Sequence, residues 1–386
     1  MNRRRLLTIS ALAVAAGLYL SLSRGLRYPP LQLDPPAVAV ELRSPDGWRL
    51  HGLGAYHREM APPTVFRAWA PSPRLLLEAE RAGSAELTLE NVHPEAEVSG
   101  EGVEELGRDG LSRRLRVAFE AGQDREIRVD FPPRERYRFA AIGDTGGRGE
   151  LRWCFQRAAE LGADFILHVG DIAYYDGDFE AAAAAFREAA VPVYAAVGNH
   201  DFHGGTRYRF RYFQEHFGPM NGAFELAGVY FVNLDTAADL VPASGGRRGE
   251  LLAELGASPP PGPLVVFTHR PFADPRVLEG KREDSHALNR AAEANWLRKR
   301  LLEMGADVML AGHIHASFDF DDQGLRTVIA GDGLGVRGGK ATILIGEFEP
   351  GRPVELRWEP LNMPESAWSP EYAEDRRQPA QHDQQN

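Results

Sequence analysis

Five short motifs between residues 144 and 315 carry the residue types that bind metal ions. They are Asp144-Thr145-Gly146, Gly170-Asp171-Ile172-Ala173-Tyr174, Gly198-Asn199-His200-Asp201, Thr268-His269 and Gly312-His313-Ile314-His315. Carboxylate and amide oxygens are hard donors, and imidazole nitrogens suit Zn, Fe or Mn. A tyrosine such as Tyr174 binds a metal only when its phenol loses a proton, which a trivalent ion promotes. The single cysteine, Cys154, excludes a disulfide and a cysteine-based cluster, so these oxygen and nitrogen donors are the candidate ligands.

Each motif follows an apolar run that predicts a buried β-strand. The runs are Tyr137–Ile142, Phe165–Val169, Val193–Val197, Leu264–Phe267 and Val308–Ala311. Strands that alternate with helical stretches are typical of βαβ units and a parallel sheet. Sites in such sheets form outside the carboxyl ends of the strands, so we expect the motifs to meet in space. A glycine stands directly before the first candidate ligand in four of the motifs and would let the backbone turn sharply there.

The order of the motifs resembles that of the calcineurin-like metallophosphoesterases over about Phe139–Leu334. Tyr174 in the second motif, and Gly146 rather than a histidine in the first, are similar to the purple acid phosphatase branch. The resemblance implies an α/β fold in which a four-layer β-sandwich is flanked by helices. The implied reaction is the hydrolysis of phosphate monoesters, with a metal-bound hydroxide as the nucleophile.

The resemblance also assigns the candidate ligands to two ions. One ion, Fe(III) in the family, would be bound by Asp144, Asp171, Tyr174 and His315. The second, which is Zn, Mn or Fe(II) in relatives, would be bound by Asp171, Asn199, His269 and His313. Asp171 belongs to both sets, and one carboxylate between two cations can bridge them.

Three further residues are candidates for catalysis. His200 would bind the substrate phosphate or assist protonation of the leaving group, and Asp201 would orient the His200 ring. Purple acid phosphatases carry a second substrate histidine some ten residues after the strand-end histidine, but position 279 here is Glu279. His286 is the nearest candidate for that role, with His203 and His216 as rivals.

Two alternatives to a phosphomonoesterase remain open at this point. The same metal site could serve a phosphodiesterase that acts on cyclic nucleotides or lipid head groups, because substrate choice lies in the surrounding loops. The chain could also be an anchored, non-catalytic binding module that keeps an inactive fold. The complete set of candidate ligands argues against this second alternative, and the natural substrate and oligomeric state are not legible from the sequence.

The N-terminal region predicts export from the cytoplasm. Three arginines precede an apolar run of 17 residues, Leu6–Leu22, and Arg24 and Arg27 follow it. Such a run is long enough for a short membrane-spanning helix. We predict a signal anchor or signal peptide over residues 1–28, with the anchor favoured and the rest of the chain outside the cytoplasm or, after cleavage, secreted.

The remaining sequence divides into two folded units and a tail. Period-two alternation between short turn clusters predicts an antiparallel β-sandwich over residues 29–133. The motifs place the metallophosphoesterase-like domain at residues 134–360, and the polar composition of 361–386 predicts a disordered tail. The net charge of −11 argues against a nucleic-acid partner, so a phosphate ester substrate and a membrane contact through the N-terminal helix are the partners expected.

Overall fold

The computed structural model describes residues 37–62, 64–202, 208–237, 245–336 and 340–374. The predicted signal segment, residues 1–28, lies outside these residues and remains a prediction. Among the helices that are described, none combines the length and the apolar character needed to cross a membrane.

The N-terminal unit is a sandwich of two five-stranded sheets. Its strands are β1 (Glu41–Arg43), β2 (Trp48–Leu53), β3 (Ala55–His57), β4 (Val65–Ala68), β5 (Arg74–Ala79), β6 (Gly83–Glu90), β7 (Glu97–Ser99), β8 (Val103–Asp109), β9 (Ser112–Phe119) and β10 (Asp124–Asp130). The sheet orders are β1-β2-β5-β10-β7 and β3-β4-β6-β9-β8. Alternate side chains such as Leu115, Val117 and Phe119 are buried between the sheets, as period-two patterning requires. The predicted antiparallel pairing fails at one place, since β4 runs parallel to β6.

The second unit contains two further sheets and six α-helices among the described residues. Its strands are β11 (Tyr137–Ile142), β12 (Phe165–His168), β13 (Val193–Ala195), β14 (Gly222–Leu226), β15 (Val229–Asn233), β16 (Leu264–Phe267), β17 (Val308–Ala311), β18 (Ser317–Asp322), β19 (Leu325–Ala330), β20 (Thr342–Phe348) and β21 (Glu355–Pro360). Its helices are α1 (Gly149–Glu160), α2 (Asp178–Glu188), α3 (Tyr208–His216), α4 (Gly246–Ala257), α5 (Pro275–Leu278) and α6 (Ala291–Glu303).

The two sheets face each other, and helices cover their outer faces. The orders are β13-β12-β11-β20-β21 and β14-β15-β16-β17-β19-β18. Aromatic side chains, among them Phe139, Phe165 and Phe231, fill the space between the sheets. Helices α1 and α2 pack on the first sheet, and α4 and α6 pack on the second. Strands β12, β16 and β17 are buried along their whole length, which explains why their sequences are apolar runs without alternation.

Parallel pairing at the centre of each sheet positions the motifs. Strands β11, β12 and β13 are parallel neighbours, and so are β15, β16, β17 and β19. Antiparallel strands occur on the flanks, where β20 pairs with β11 and β14 pairs with β15. Five of the parallel strands therefore deliver their carboxyl ends, and the motifs that follow them, to the same end of the two-sheet core.

The C-terminal segment corrects one expectation. Residues 361–374 are not a disordered tail but pack against helix α1 and the loops beside it. Leu361 and Tyr372 are completely buried, and 3-10 turns form at Glu365–Ala367 and Pro370–Tyr372. Polar composition misled here because a few apolar residues, among them Leu361 and Met363, join the core of the second unit while hydrogen bonds hold the polar residues between them. Residues 375–386 lie outside the described part of the chain.

Two side chains of the sandwich connect it to the second unit. Asn91 donates to the carbonyl of Val193 at 3.1 Å and accepts from its amide at 3.0 Å, so it pairs with the free edge of β13. Arg58 donates to both carboxylate oxygens of Glu90, at 3.0 and 2.8 Å, and to the carbonyl of Glu215 in α3 at 3.0 Å. Edge strands and buried charges both require partners. The edge of β13 finds its partner in the sandwich, and Arg58 finds one in its own unit, Glu90, and one in α3, the Glu215 carbonyl.

Candidate metal centre

Three buried residues form the floor of the site at the strand ends. Asp144 follows β11, Asp171 follows β12 and His269 follows β16; their exposed fractions are 0%, 1% and 0%. Nε2 of His269 lies 3.3 Å from Oδ1 of Asp171. The structure thus brings together residues that the chain separates by 27 and 98 positions, at the edge where the parallel strands end.

The candidate ligands form two groups that share Asp171. Asp144, Asp171 and His315 offer donor atoms within 4.8 Å of one another, and so do Asp171, His269 and His313. These are the groups that the sequence analysis assigned to two separate ions. The shared carboxylate lies between them, which is the arrangement a bridging ligand needs.

The two less common candidate ligands lie beside these groups. The Tyr174 hydroxyl is 3.3 Å from Oδ2 of Asp171 and 3.2 Å from Nε2 of His315. The Asn199 amide oxygen is 2.9 Å from Nε2 of His269. All seven predicted ligands therefore converge, with Tyr174, Asn199 and His315 at a partly exposed rim above the buried floor.

Backbone strain is concentrated in the candidate ligands. Eight non-glycine residues of the described chain have positive φ, and four of them are predicted ligands. These four are Asp144 (57°), Asp171 (60°), His313 (71°) and His315 (50°). Asp and His tolerate the left-handed region better than most residues, but each such position still costs about 1–3 kcal/mol. Strain of this kind persists where a functional geometry demands it.

The glycines before the ligands are needed for close packing more than for turning. Only Gly170 among Gly143, Gly170, Gly198 and Gly312 has a positive φ, at 95°. A Cβ at Gly198 would lie 2.1 Å from Oδ1 of Asp171, and one at Gly312 would lie 2.6 Å from Oδ2 of Asp144. The expectation that these glycines supply the turn is therefore wrong for three of them. After Gly143 and Gly312 the ligand itself has the positive φ, and Gly198 and Gly312 leave room for a neighbouring carboxylate.

The charges of the floor suit a cation. Burial raises the pKa of Asp144, and the negative charge of Asp171 raises it further. Burial opposes ionisation of Asp171 as well, but His269 and His200 outweigh it and lower the Asp171 pKa. Burial also lowers the pKa of His269 and His313 and so favours the neutral imidazole, which has a lone pair to donate to a metal ion.

The donor set fits two metal ions. Two carboxylates this deeply buried and this close repel each other, and burying such charges without a counter-ion is costly. A cation between them removes that cost, and the neutral imidazoles and the amide oxygen complete a mixed oxygen and nitrogen shell. Asp144 also accepts from the His313 amide at 2.8 Å, which ties the first and last motifs together.

His200 lies at the rim of the site, and Asp201 lies behind it between two motif loops. The His200 amide donates to Oδ1 of Asp171 at 2.9 Å, and its ring centroid is 4.6 Å from that of Tyr174. The Asp201 carboxylate accepts from the amides of Ile172, Ala173 and Gly198, at 2.9, 3.1 and 2.7 Å. These bonds make Asp201 a clamp between the second and third motif loops, and its role in orienting the His200 ring remains a prediction.

The three histidines proposed for a second substrate contact have different positions. The His286 ring centroid lies 5.9 Å from that of His313, so this half-buried histidine faces the site. Its amide donates to Oδ2 of Asp274 at 3.0 Å, which fixes the loop after α5. His216 lies in α3 with Nδ1 3.0 Å from Nη2 of Arg58, at the contact with the sandwich. His203 lies outside the described residues.

Sequence reasoning missed Asp178 and the C-terminal segment beside the site. Asp178 begins α2, and its Oδ2 accepts from the amides of Tyr174 and Tyr175 at 2.9 Å each. The Tyr372 hydroxyl donates to the same oxygen at 2.8 Å. The glycines of the loop Gly146-Gly147-Arg148-Gly149 were the available signal, because closely spaced glycines indicate a neighbouring chain at close approach.

One protein-family model matches the part of the chain that carries the site. Residues 137–317 match the family model described as calcineurin-like phosphoesterase. This range contains all five motifs and every predicted ligand. No curated protein matches the sequence.

Several solved structures are similar to the chain. A purple acid phosphatase isolated from yellow lupin seeds is 14% identical, with 80% of this chain and 72% of that chain covered and a TM-score of 0.47. A dimetal phosphatase from Danio rerio is 13% identical over 57% of this chain and 98% of that one, with a TM-score of 0.38. The anchor in the inner membrane complex of Plasmodium is 13% identical over 59% of this chain and 85% of that one, with a TM-score of 0.43. These scores are too low to establish a common fold by themselves.

Proposed function

We propose that the chain hydrolyses phosphate monoesters at a site that holds two metal ions, and the match of residues 137–317 to the calcineurin-like phosphoesterase family model supports this proposal. The observation that carries the proposal is the position of Asp171. Its carboxylate belongs to both groups of donor atoms, one with Asp144 and His315 and the other with His269 and His313. A shared carboxylate of this kind would hold two cations side by side, the arrangement that supports phosphoryl transfer to water.

Each ion would have its own set of ligands. Asp144, Asp171, Tyr174 and His315 would hold the first ion. Asp171, Asn199, His269 and His313 would hold the second. When bound, the two cations supply Lewis-acid stabilisation of the phosphoryl oxygens and lower the pKa of a water molecule that then acts as the nucleophile.

The residues of the rim would handle the substrate. The amide of His200 is bonded to Asp171, so its partly exposed side chain stands next to the shared ligand, where it can donate a hydrogen bond to a phosphoryl oxygen. His286 stands on the other side of the site against His313, where its imidazole can give a proton to the leaving oxygen. We assign phosphate binding to His200 and leaving-group protonation to His286.

The identity of the first ion is a separate part of the proposal. Tyr174 places a phenol oxygen within 3.3 Å of both Asp171 and His315, and a phenolate is a ligand that favours a trivalent ion. Gly146, where a histidine would add a further ligand, supports the same branch of the family. We propose Fe(III) at this position and Zn, Mn or Fe(II) at the other.

The test is hydrolysis by the purified chain after reconstitution with iron and with Zn²⁺ or Mn²⁺. Phosphate release from p-nitrophenyl phosphate is compared with that from bis(p-nitrophenyl) phosphate. Asp171→Ala should lose activity by several orders of magnitude, because both ions lose a ligand. Asp319→Ala is the matched control, since Asp319 is a carboxylate of the same domain that pairs with Arg326 at the surface.

The outcomes separate the alternatives. Faster turnover of the monoester supports the proposal, whereas faster turnover of the diester would make the chain a phosphodiesterase. A protein that binds both metals and hydrolyses neither compound would be a binding module. Full activity in Asp171→Ala would remove the metal site from the mechanism altogether.

We also propose that the catalytic domain works outside the cytoplasm, held by the N-terminal segment. The support is the arginine-flanked apolar run Leu6–Leu22 in the sequence. Reporter fusions after residue 36 that are active only on the outer side of the membrane, together with recovery of the chain in the membrane fraction, would support it. A reporter that stays in the cytoplasm would contradict it.

A further inference from the structure

The first-motif loop and the second-motif loop are joined by a residue that neither of them contains. The Gly147 amide donates to the Tyr372 hydroxyl at 2.8 Å, and that hydroxyl donates to Oδ2 of Asp178 at 2.8 Å. Asp178 in turn accepts from the amides of Tyr174 and Tyr175. One phenol of the C-terminal segment therefore connects the loop of Asp144 to the loop of Tyr174.

The Tyr372 side chain is tightly packed on every side that the structure describes. Tyr372 is completely buried, and its ring stacks on Tyr175 at 5.7 Å and meets the Tyr174 ring edge-on at 6.0 Å. A Cβ at Gly146 would lie 2.2 Å from the Tyr372 hydroxyl. Tyr372 can lie beneath the first motif because Gly146 has no side chain.

Separate contacts hold the residues just before Tyr372 in place. Ser369 donates its amide to Glu150 at 2.7 Å, at the start of α1. Arg148 donates to Oδ1 of Asp178 at 2.6 Å and to Glu371 at 2.9 Å. A Cβ at Gly149 would lie 2.4 Å from the Ala367 carbonyl, so the segment lies directly on the first-motif loop.

We propose that Tyr372 is a positioning residue of the metal centre, and that residues 361–374 belong to the active site. The phenol fixes the spacing between the loop that carries Asp144 and the loop that carries Asp171 and Tyr174. Residues that orient ligands without touching the metal commonly raise metal affinity by about 10- to 100-fold. This inference rests on the proposed two-metal function.

The test compares two variants in the same segment. Tyr372→Phe keeps the ring and removes the hydroxyl that joins the loops. Ser369→Ala removes a hydroxyl that donates to Glu150 and accepts from the Gly149 amide, and it leaves the hydrogen bonds of Gly147 and Asp178 intact. Zn²⁺ affinity is measured by competition with a chromophoric chelator, and the melting temperature is measured on the metal-free protein. Both readouts are independent of catalysis.

Positioning predicts that only one of the variants weakens metal binding. We expect the Zn²⁺ affinity of Tyr372→Phe to fall about 10-fold, while Ser369→Ala lowers the melting temperature by a similar amount but keeps wild-type affinity. Equal losses of affinity in both variants, or wild-type affinity in Tyr372→Phe, would overturn the inference and leave the proposed function standing. A wild-type protein that binds no Zn²⁺ would overturn both.

Discussion

The phenol oxygen of Tyr174 lies 3.2 Å from Nε2 of His315, although 141 positions separate the two residues in the chain. Tyr174 comes from the loop after β12, and His315 comes from the loop after β17. The two loops leave different sheets, so this contact exists only because the sheets end at a common edge. Tyr174 and His315 are both assigned to the first ion, so a change at either residue should alter that ion.

Removing the Tyr174 hydroxyl should change the colour of an iron-loaded protein. A phenolate bound to Fe(III) gives a visible charge-transfer band, and Tyr174→Phe keeps the ring packed against His200 while removing the ligand atom. We expect the band to disappear in the variant. The absorption spectrum with parallel iron analysis checks this, and a band that persists at equal iron content would assign the colour to another residue.

A side chain at Gly198 should disrupt the metal site. A Cβ there would lie 2.0 Å from the Asp171 amide nitrogen and 2.1 Å from Oδ1 of Asp171. We expect Gly198→Ala to lose metal binding and to destabilise the fold by about 1–3 kcal/mol, the usual range for overpacking. Metal analysis and thermal unfolding measure the two effects.

Gly256→Ala is the control for that experiment. Gly256 lies in α4, and no atom lies within 4 Å of its added Cβ. Alanine is favoured over glycine inside a helix by about 0.5–1 kcal/mol, so this variant should be slightly more stable and bind metal normally. Equal behaviour of the two variants would mean that the close contact at Gly198 has no effect on the site.

The two rim histidines should respond differently to the leaving group. If His286 gives a proton to the leaving oxygen, His286→Gln will slow an alkyl phosphate at least ten times more than p-nitrophenyl phosphate, whose leaving group needs no proton. His200→Gln should slow both substrates by the same factor, because phosphate binding is common to them. The ratio of kcat/KM on the two substrates measures this, and a reversed pattern would exchange the two assignments.

The contact between the sandwich and α3 should weaken in acid. Burial, and after it the charge of Arg58, lowers the pKa of His216 to about 3. The folded protein therefore keeps His216 neutral, while the unfolded chain takes up a proton below its ordinary pKa of about 6.5. Proton uptake by the unfolded chain favours unfolding, so this contribution to stability is lost as pH falls from about 6.5 towards 3.

A variant at His216 isolates that contribution from other titrating groups. His216→Gln keeps an acceptor for Arg58 but takes up no proton. We expect its melting temperature to fall less between pH 7 and pH 5 than that of the wild type. Parallel curves for the two proteins would show that His216 does not set the acid limit of this contact.

The strands and their order along the chain were predictable because a strand that is buried on both faces is a continuous apolar run in the sequence. The predicted strands Tyr137–Ile142, Leu264–Phe267 and Val308–Ala311 agree with β11, β16 and β17 to the residue. The convergence of the motifs followed from the same reasoning, because parallel strands end together. Helix α3 was missed, since its alternation of Arg209 and Arg211 with aromatic residues does not follow a helical period.

The features that sequence did not predict depend on backbone atoms of distant segments. Asp201 accepts from amides in two loops, and such partners leave no pattern in residue types. The C-terminal segment was assigned to a disordered tail for the same reason: Tyr372 is held by Gly147 and Asp178, which are more than 190 positions away. Local composition carries no information about a hydrogen bond of that range.

Metal content of the purified, reconstituted protein tests the central claim most directly. We predict two ions per chain in the wild type, about one in His313→Ala, and fewer than one in Asp171→Ala, because Asp171 serves both ions and His313 serves one. Measurement by elemental analysis, with folding checked by circular dichroism, gives these numbers without reference to any substrate. Two ions retained in Asp171→Ala, or fewer than one in the wild type, would contradict the account.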